Sequence, residues 1–332
     1  MNGREETRLK NRTNILSLIR NRNGISQIDL ARETALQAST VSYAVRELRE
    51  SGLVRSIGRG DTGPGGGKRS VIVGADPDAG HYAGILLRRS TCDITVTDFA
   101  GSLLSIDHYT LPTGNTDEFV ARVSQIVYDH STAVASPLLG IGIAVASIVS
   151  NDGTIAASAD FPVSITGLDE RIVLLLGNQG IRDVPVVLEN DANCISLHAH
   201  HQQAGAFSHV LSFVFSSEPV TIGTGLVING EVYRGAAGAA GEILAAEEHA
   251  NPSRMGKNLD MIVRFTDPDL VVVTHDSGDA TWTVVENRMK ELRHRRVIRI
   301  GNPQAAIAGA ILLAYERSVP GLIGASGKGG IS

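Results

Sequence analysis

The stretch Ser26–Leu53, SQIDLARETALQASTVSYAVRELRESGL, constrains this chain more than any other. Two short amphipathic helices read out of it, joined by a tight turn around Thr34–Gln37. Ile28, Leu30 and Ala31 give the first an apolar face; Val41, Val45 and Leu48 give the second its own, at helical spacing. Ser26 stands where it can cap the first helix, with Asp29 three residues on. Gly52 lies just past the second, where a left-handed cap costs little. This is a helix-turn-helix. Its second helix exposes Ser39, Thr40, Ser42, Tyr43, Arg46 and Arg49, side chains of the kind that reach base edges and phosphates. The pattern points to double-stranded DNA as the partner; a helical module that pairs with protein is the other reading.

Charge agrees with DNA. Met1–Ala75 holds 13 Lys and Arg against 7 Asp and Glu, while the whole chain nets −5, so the remainder carries −11. A basic module on an acidic body suits a polyanion bound at one end only. Thr7–Arg22, with apolar Leu9, Ile15, Leu16, Leu18 and Ile19, reads as a preceding helix ended by Asn23-Gly24. After Leu53 come two β-prone runs, Val54–Ile57 and Val71–Val73. Between them lies GRGDTGPGGGKRS, Gly58–Ser70, with Arg59, Lys68 and Arg69. That predicts a β-hairpin wing whose basic tip follows phosphates or enters a minor groove; a plain flexible linker is the alternative. Residues 1–76 form the expected DNA-binding domain.

With 332 residues, two or three packing units are expected. Two cysteines, Cys92 and Cys194, make no disulfide framework, which suits a reducing compartment. The charged N-terminus has no apolar core of a signal peptide. The longest apolar stretches, near Leu138–Val149 and Ala305–Tyr315, fall short of the ~20 residues that span a bilayer. A soluble, cytoplasmic protein without a membrane partner is expected. Beyond Asp76, strands and helices alternate in two rounds. Strands are predicted at Tyr82–Leu87, Asp93–Asp98, Leu103–Thr110, Leu139–Val149 and Val184–Leu188, with helices at Glu118–Ala135, Leu168–Gly177 and Ala192–Gln203. The second round has strands at His209–Phe215, Gly225–Ile228, Glu231–Tyr233, Leu270–Thr274 and Val297–Ile300. Its helices are Asp260–Phe265, Thr281–His294 and Pro303–Arg317. The glycine-rich end, 319–332, is expected to be a flexible tail.

Four landmarks in this body carry a resemblance. They are LGIGIAVASIVSNDGTI at Leu139–Ile155, VVLENDANC at Val186–Cys194, TGLVINGEVYRGAAGAAGE at Thr224–Glu242, and the closing helix around Ala305–Ala314. In order and spacing the chain resembles the ROK family of repressors and sugar kinases. Its repressor branch also carries a winged helix in front, with a GGR-like wing tip matching Gly67-Lys68-Arg69. The resemblance implies an α/β fold: a winged helix-turn-helix, then a two-lobed actin-like ATPase domain over 77–318, with a ligand cleft between the lobes.

The departures from the family are informative. Kinases of the family need glycine-rich loops around phosphates. Here Arg88, Arg89 and Ser90 stand in place of Gly, Gly and Thr, and Leu86 in place of an acid. The second phosphate loop reads Pro219-Val220-Thr221-Ile222-Gly223-Thr224-Gly225, and its proline lacks an N–H donor. The ATP site is therefore read as lost, with no catalytic residue and no cofactor. The sugar side maps, by the resemblance, to Asn190, Asp191 and Glu242; capping of a helix by Asn190-Asp191 is the plainer role. The zinc segment that usually follows is absent: Ile243, Leu244 and Ala245 replace its opening, and neither cysteine lies near. His198, His200 and His201 read as a solvated helix face, not a metal site. The chain thus reads as a regulator, a repressor of sugar or related metabolic genes. It would bind a palindromic operator as a homodimer or homotetramer and take a sugar-like effector. A sugar kinase fused to a DNA module, or a ligand-independent DNA-binding oligomer, are the alternatives.

Overall fold

The computed structural model describes residues 3–60, 69–157, 164–203, 206–217, 220–242, 252–275, 296–299 and 304–325. The N-terminal module packs α1 (Gly3–Asn21), α2 (Gln27–Thr34) and α3 (Ala38–Glu50) beside a small sheet. Ser26 caps α2 as expected, its hydroxyl oxygen accepting from the Asp29 amide at 3.1 Å. Ala35 takes a left-handed conformation in the turn, and Gly52 does so after α3. The wing is real: β2 (Val54–Arg59) pairs antiparallel with β3 (Val71–Ala75), with a bulge at Ser56–Gly58. A two-residue strand that the sequence did not suggest, β1 (Ile25–Ser26), adds to β3. One apolar assignment fails. Ile28 is 71% exposed, because the short α2 buries only Leu30 fully.

The body is built twice on one plan. In the first lobe, β4 (His81–Leu87), β5 (Thr91–Asp98) and β6 (Leu103–Thr110) form an antiparallel meander. After α4 (Thr116–Thr132), β7 (Leu138–Val145) adds parallel to β4; after α5 (Leu168–Asn178), β8 (Val186–Asn190) adds parallel to β7. The sheet order is β6-β5-β4-β7-β8. After α6 (Asp191–Gln202), the second lobe repeats it as β11-β10-β9-β12-β13. These strands are β9 (Val210–Ser217), β10 (Val220–Ile228), β11 (Glu231–Val232), β12 (Leu270–His275) and β13 (Arg296–Arg299). Helix α7 (Pro252–Thr266) packs Leu259, Ile262 and Val263 onto the second sheet. The helix expected over 281–294 lies outside the described residues.

One helix ties these parts together. α8 (Gln304–Ala325) lies across β4 and β7 and against α6. Glycine makes the approach possible: a Cβ at Gly142 would overlap the Ala310 carbonyl, and one at Gly309 the Cys194 carbonyl. The tail expected from residue 319 is corrected here. Pro320 does not stop α8, which runs on to Ala325 with Val319 (0% exposed) and Ile323 (1%) in its buried stripe; 326–332 lie outside the described residues. Over Gln304–Gly324 the helix is long and apolar enough to cross a membrane. Most of that stretch is instead buried inside the protein, so its apolarity is that of a core helix.

Candidate nucleic-acid interface and ligand cleft

α3 turns Val41, Ala44, Val45 and Leu48 into the module core. The opposite face carries Ser39, Ser42, Tyr43, Arg46 and Arg49, all exposed, with Thr40 half-buried at the edge. This follows from the 3.6-residue period and places the predicted reading residues on one outward stripe. Tyr43 is held between two cations. Arg8 of α1 lies 4.7 Å from its ring centroid and donates to its hydroxyl, and Arg46 lies 4.8 Å from the ring. Arg8 also pairs with Glu47, and Arg12 stands 3.6 Å from the same carboxylate. The positive edge of α3 is thus organised by α1, a contribution that sequence reading missed. Arg59 and Arg69 are exposed at the two strand ends of the wing; Lys68 lies outside the described residues.

Between the lobes, β8 ends and α6 begins at Asn190-Asp191. Asn190 is a structural residue first. Its Oδ1 accepts from the Asn193 amide at 3.1 Å, capping α6, and its Nδ2 donates to the Ser147 carbonyl at 3.1 Å. Asp191 Oδ1 accepts from the Ala192 amide at 2.8 Å and lies beside Gly223 of β10. A Cβ on Gly241 would stand 2.5 Å from the carbonyl of Thr224, the next residue of β10. So Asp191 and the segment bearing Glu242 are anchored at neighbouring positions of one strand. Glu242 is exposed, yet the surrounding protein desolvates its carboxyl enough to raise its pKa above the ordinary value.

The residue that reasoning from sequence overlooked is Glu189, 1% exposed at the end of β8. Its Oε2 accepts from Arg234 Nε at 2.6 Å and lies 2.5 Å from Arg234 Nη2. Its Oε1 accepts from the Asn190 amide and from Asn193 Nδ2, each at 2.9 Å. Arg234 comes from the loop after β11, so this carboxylate pins the second lobe to the first. Asn151 adds a second pin, donating to the carbonyls of Gly235 and Ala236 at 3.3 and 2.9 Å. The signal was present: a lone acid at the end of the apolar run VVLEN.

The loops that would cradle nucleotide differ from a phosphate site. Arg88–Ser90 is a tight β4–β5 turn, Arg88 is paired to Asp93 at 2.7 Å, and Leu86 is buried in the core. Val220–Gly225 is strand, paired residue by residue with β9. Cys194 is fully buried, and burial pushes its thiol well up. No cluster of three metal-ligating side chains occurs among the described residues. The histidines of α6 depart from expectation: all three are half-buried, and burial with the neighbouring His201 holds His198 down to about 4. His201 meets Glu316 of α8 at 3.2 Å.

The fold and these sites define a class: a winged helix-turn-helix joined to a duplicated two-lobed α/β body. Comparison with known proteins agrees. Residues 82–245 match the ROK family, and residues 8–55 match a winged helix-turn-helix DNA-binding family. The body is a ROK family domain, standing behind a winged helix-turn-helix module. The chain is 26% identical over 235 residues to the xylose repressor of Staphylococcus xylosus, covering 70% of this chain and 59% of that protein. It is 30% identical over 224 residues to the xylose repressor of Bacillus subtilis, covering 66% and 55%. The matched region therefore spans less than two thirds of these curated relatives. In structure it is similar to a ROK family transcriptional regulator described as a homolog of the E. coli MLC protein. The TM-score is 0.71 at 16% identity, over 96% of this chain and 98% of that one. It is also similar to a ROK family glucokinase from Streptomyces griseus, at TM-score 0.57 and 16% identity, over 71% of this chain and all of that one.

Proposed function

We propose that this protein is a cytoplasmic DNA-binding transcriptional regulator that represses sugar-metabolic genes. The observation that carries the reading is the outward polar stripe of α3, on a winged module joined to a ROK body. Ser39, Thr40, Ser42, Tyr43 and Arg46 read bases; Arg59, Lys68 and Arg69 hold phosphates. A homodimer or homotetramer sets two α3 helices on half-sites of a palindromic operator, one helical turn apart. A sugar or sugar derivative enters the cleft and meets Asp191 and Glu242, with Asn190 fixing the start of α6. Binding that prefers one lobe arrangement shifts operator affinity by the difference in its affinity for the two.

The test is selection of genomic duplexes, followed by fluorescence anisotropy. Arg46→Ala should weaken the selected duplex by about 10- to 100-fold, the range for one base contact. Arg69→Ala should weaken all duplexes alike and lower the salt slope by about one. No duplex preference in the parental protein would overturn the reading. A second reading, sugar kinase, draws on the place of Asp191 at the cleft and the likeness to the glucokinase. ADP release with a panel of sugars, abolished by Asp191→Asn, would establish it; no turnover supports the regulator.

A further inference from the structure

Among the side chains by which the DNA module meets the body, one is a cation seated among aromatic rings. Arg20, in the last turn of α1, donates Nε–H to the Phe99 carbonyl at 3.0 Å. Its guanidinium lies 4.5 Å from the centroid of the Tyr315 ring. Tyr315 in turn meets Tyr82 and Phe99, each at 5.9 Å between centroids, and all three rings are buried. Gly101, at φ +92°, turns the chain directly under the guanidinium. Burial pushes Tyr315 up to about 12, so its ring stays neutral and offers its face to the cation. The seat is part of a wider contact: Ile15, Leu16 and Ile19 of α1 and Ala75 of β3 share one buried apolar cluster with Tyr82, Phe99 and Tyr315. A crevice of about 460 Å³ lies between α1, α2 and α6, lined by Asn11, Asn14, His200 and His201 beside Leu18 and Leu36.

We propose that Arg20 is a positioning residue: its seat on Phe99 and Tyr315 fixes how the DNA module sits on the body, and thereby which half-site spacing the assembled protein reads. Tyr315 belongs to α8, which packs on the first-lobe sheet and on α6. α6 begins at Asp191 in the cleft, so a lobe movement that shifts α8 moves the seat of Arg20. The spacing half of the proposal rests on the DNA-binding reading above; the orientation half stands on the contacts alone.

Two measurements decide it. Both native cysteines are buried, so Arg49→Cys on α3 and Ala121→Cys on α4 take spin labels selectively. With the labelled chain diluted into unlabelled protein, electron–electron double resonance should give one narrow distance. Arg20→Ala should widen that distribution at least about twofold, the two bonds of the seat being lost. Arg20→Lys keeps charge and bulk, and so folding, but cannot both donate to Phe99 and cover the ring; it should also widen it. Unchanged width in both variants overturns the proposal. The second measurement uses unlabelled protein and duplexes whose half-sites are moved apart base pair by base pair. The parental protein should prefer one spacing by about tenfold or more, on the scale of one lost base contact. The Arg20 variants should flatten that preference and leave single half-site affinity unchanged. Retained spacing preference overturns the spacing half. A parental protein that binds no duplex overturns the DNA reading, while the distance measurement still decides the orientation half.

Discussion

Removing the Glu189 carboxylate tests how the two lobes are joined. In Glu189→Ala, the Asn190 amide and Asn193 Nδ2 lose their acceptor inside the protein, and Arg234 loses its counter-charge. Asn190 is 8% exposed and Asn193 3%, so water cannot replace the bonds without opening the site. Each unsatisfied buried donor costs ~1–3 kcal/mol. Arg234 is 40% exposed at its side chain and can rehydrate, so it adds little. The expected loss is about 3–5 kcal/mol, in the range for breaking a buried pair from one side. Glu189→Gln keeps an acceptor for the two Asn donors but turns an amide NH2 toward Arg234, so the charge and the Arg234 hydrogen bonds are lost while Arg234 rehydrates; about 1–2 kcal/mol is expected. For a body of this size, a kcal/mol lowers Tm by ~2–4 °C. Thermal unfolding followed by far-ultraviolet circular dichroism should therefore rank parental, Gln and Ala in that order. The Ala variant should lie roughly 6–20 °C below the parental protein. Equal losses in both variants, or less than about 1 kcal/mol in Ala, would refute the lobe pin.

Other outcomes follow from the same contacts. Gly142→Ala should abolish or strongly reduce soluble folded protein, because its methyl overlaps the Ala310 carbonyl and α8 must leave β7; soluble yield and Tm measure it. His198, held down to about 4, favours the neutral ring in the folded state. Its contribution is complete above pH 6.5 and is lost as pH falls from there toward 4, since the unfolded chain binds the proton first. Denaturation midpoints across that window should flatten in His198→Gln.

Much of the fold was legible because local rules and global packing agree in it. Ser26, Gly52 and the apolar stripe of α3 specify the helix-turn-helix without help from afar. Turn residues and alternating strands marked the doubled body. What was hidden is what depends on distant partners. β1 is two residues long and exists only by pairing with β3. Ile28 looked like core because its neighbours are core, but α2 is too short to bury it. α8 outruns its proline because contacts with the rest of the body hold its last turns. Where the lobes meet, Asn190 and Asp191 were identifiable as the start of a helix. Glu189, Arg234 and Arg20 were not assigned roles, since each meets its partner across a long stretch of chain.

The wing and the body are joined with almost no slack. Only Asp76–Gly80, including the 3-10 turn Pro77–Ala79, separates the last residue of β3 from the first of β4, and Arg55 stands 3.6 Å from Asp76 across it. Five residues of β3 extend ~17 Å from that joint, so the hairpin acts as an oar turning on a short rowlock. A tilt of about 10° at the joint would sweep the blade ~3 Å, close to the ~3.4 Å step from one base pair to the next. Motion too small to be conspicuous in the body would thus be enough to move a basic tip from one phosphate toward its neighbour.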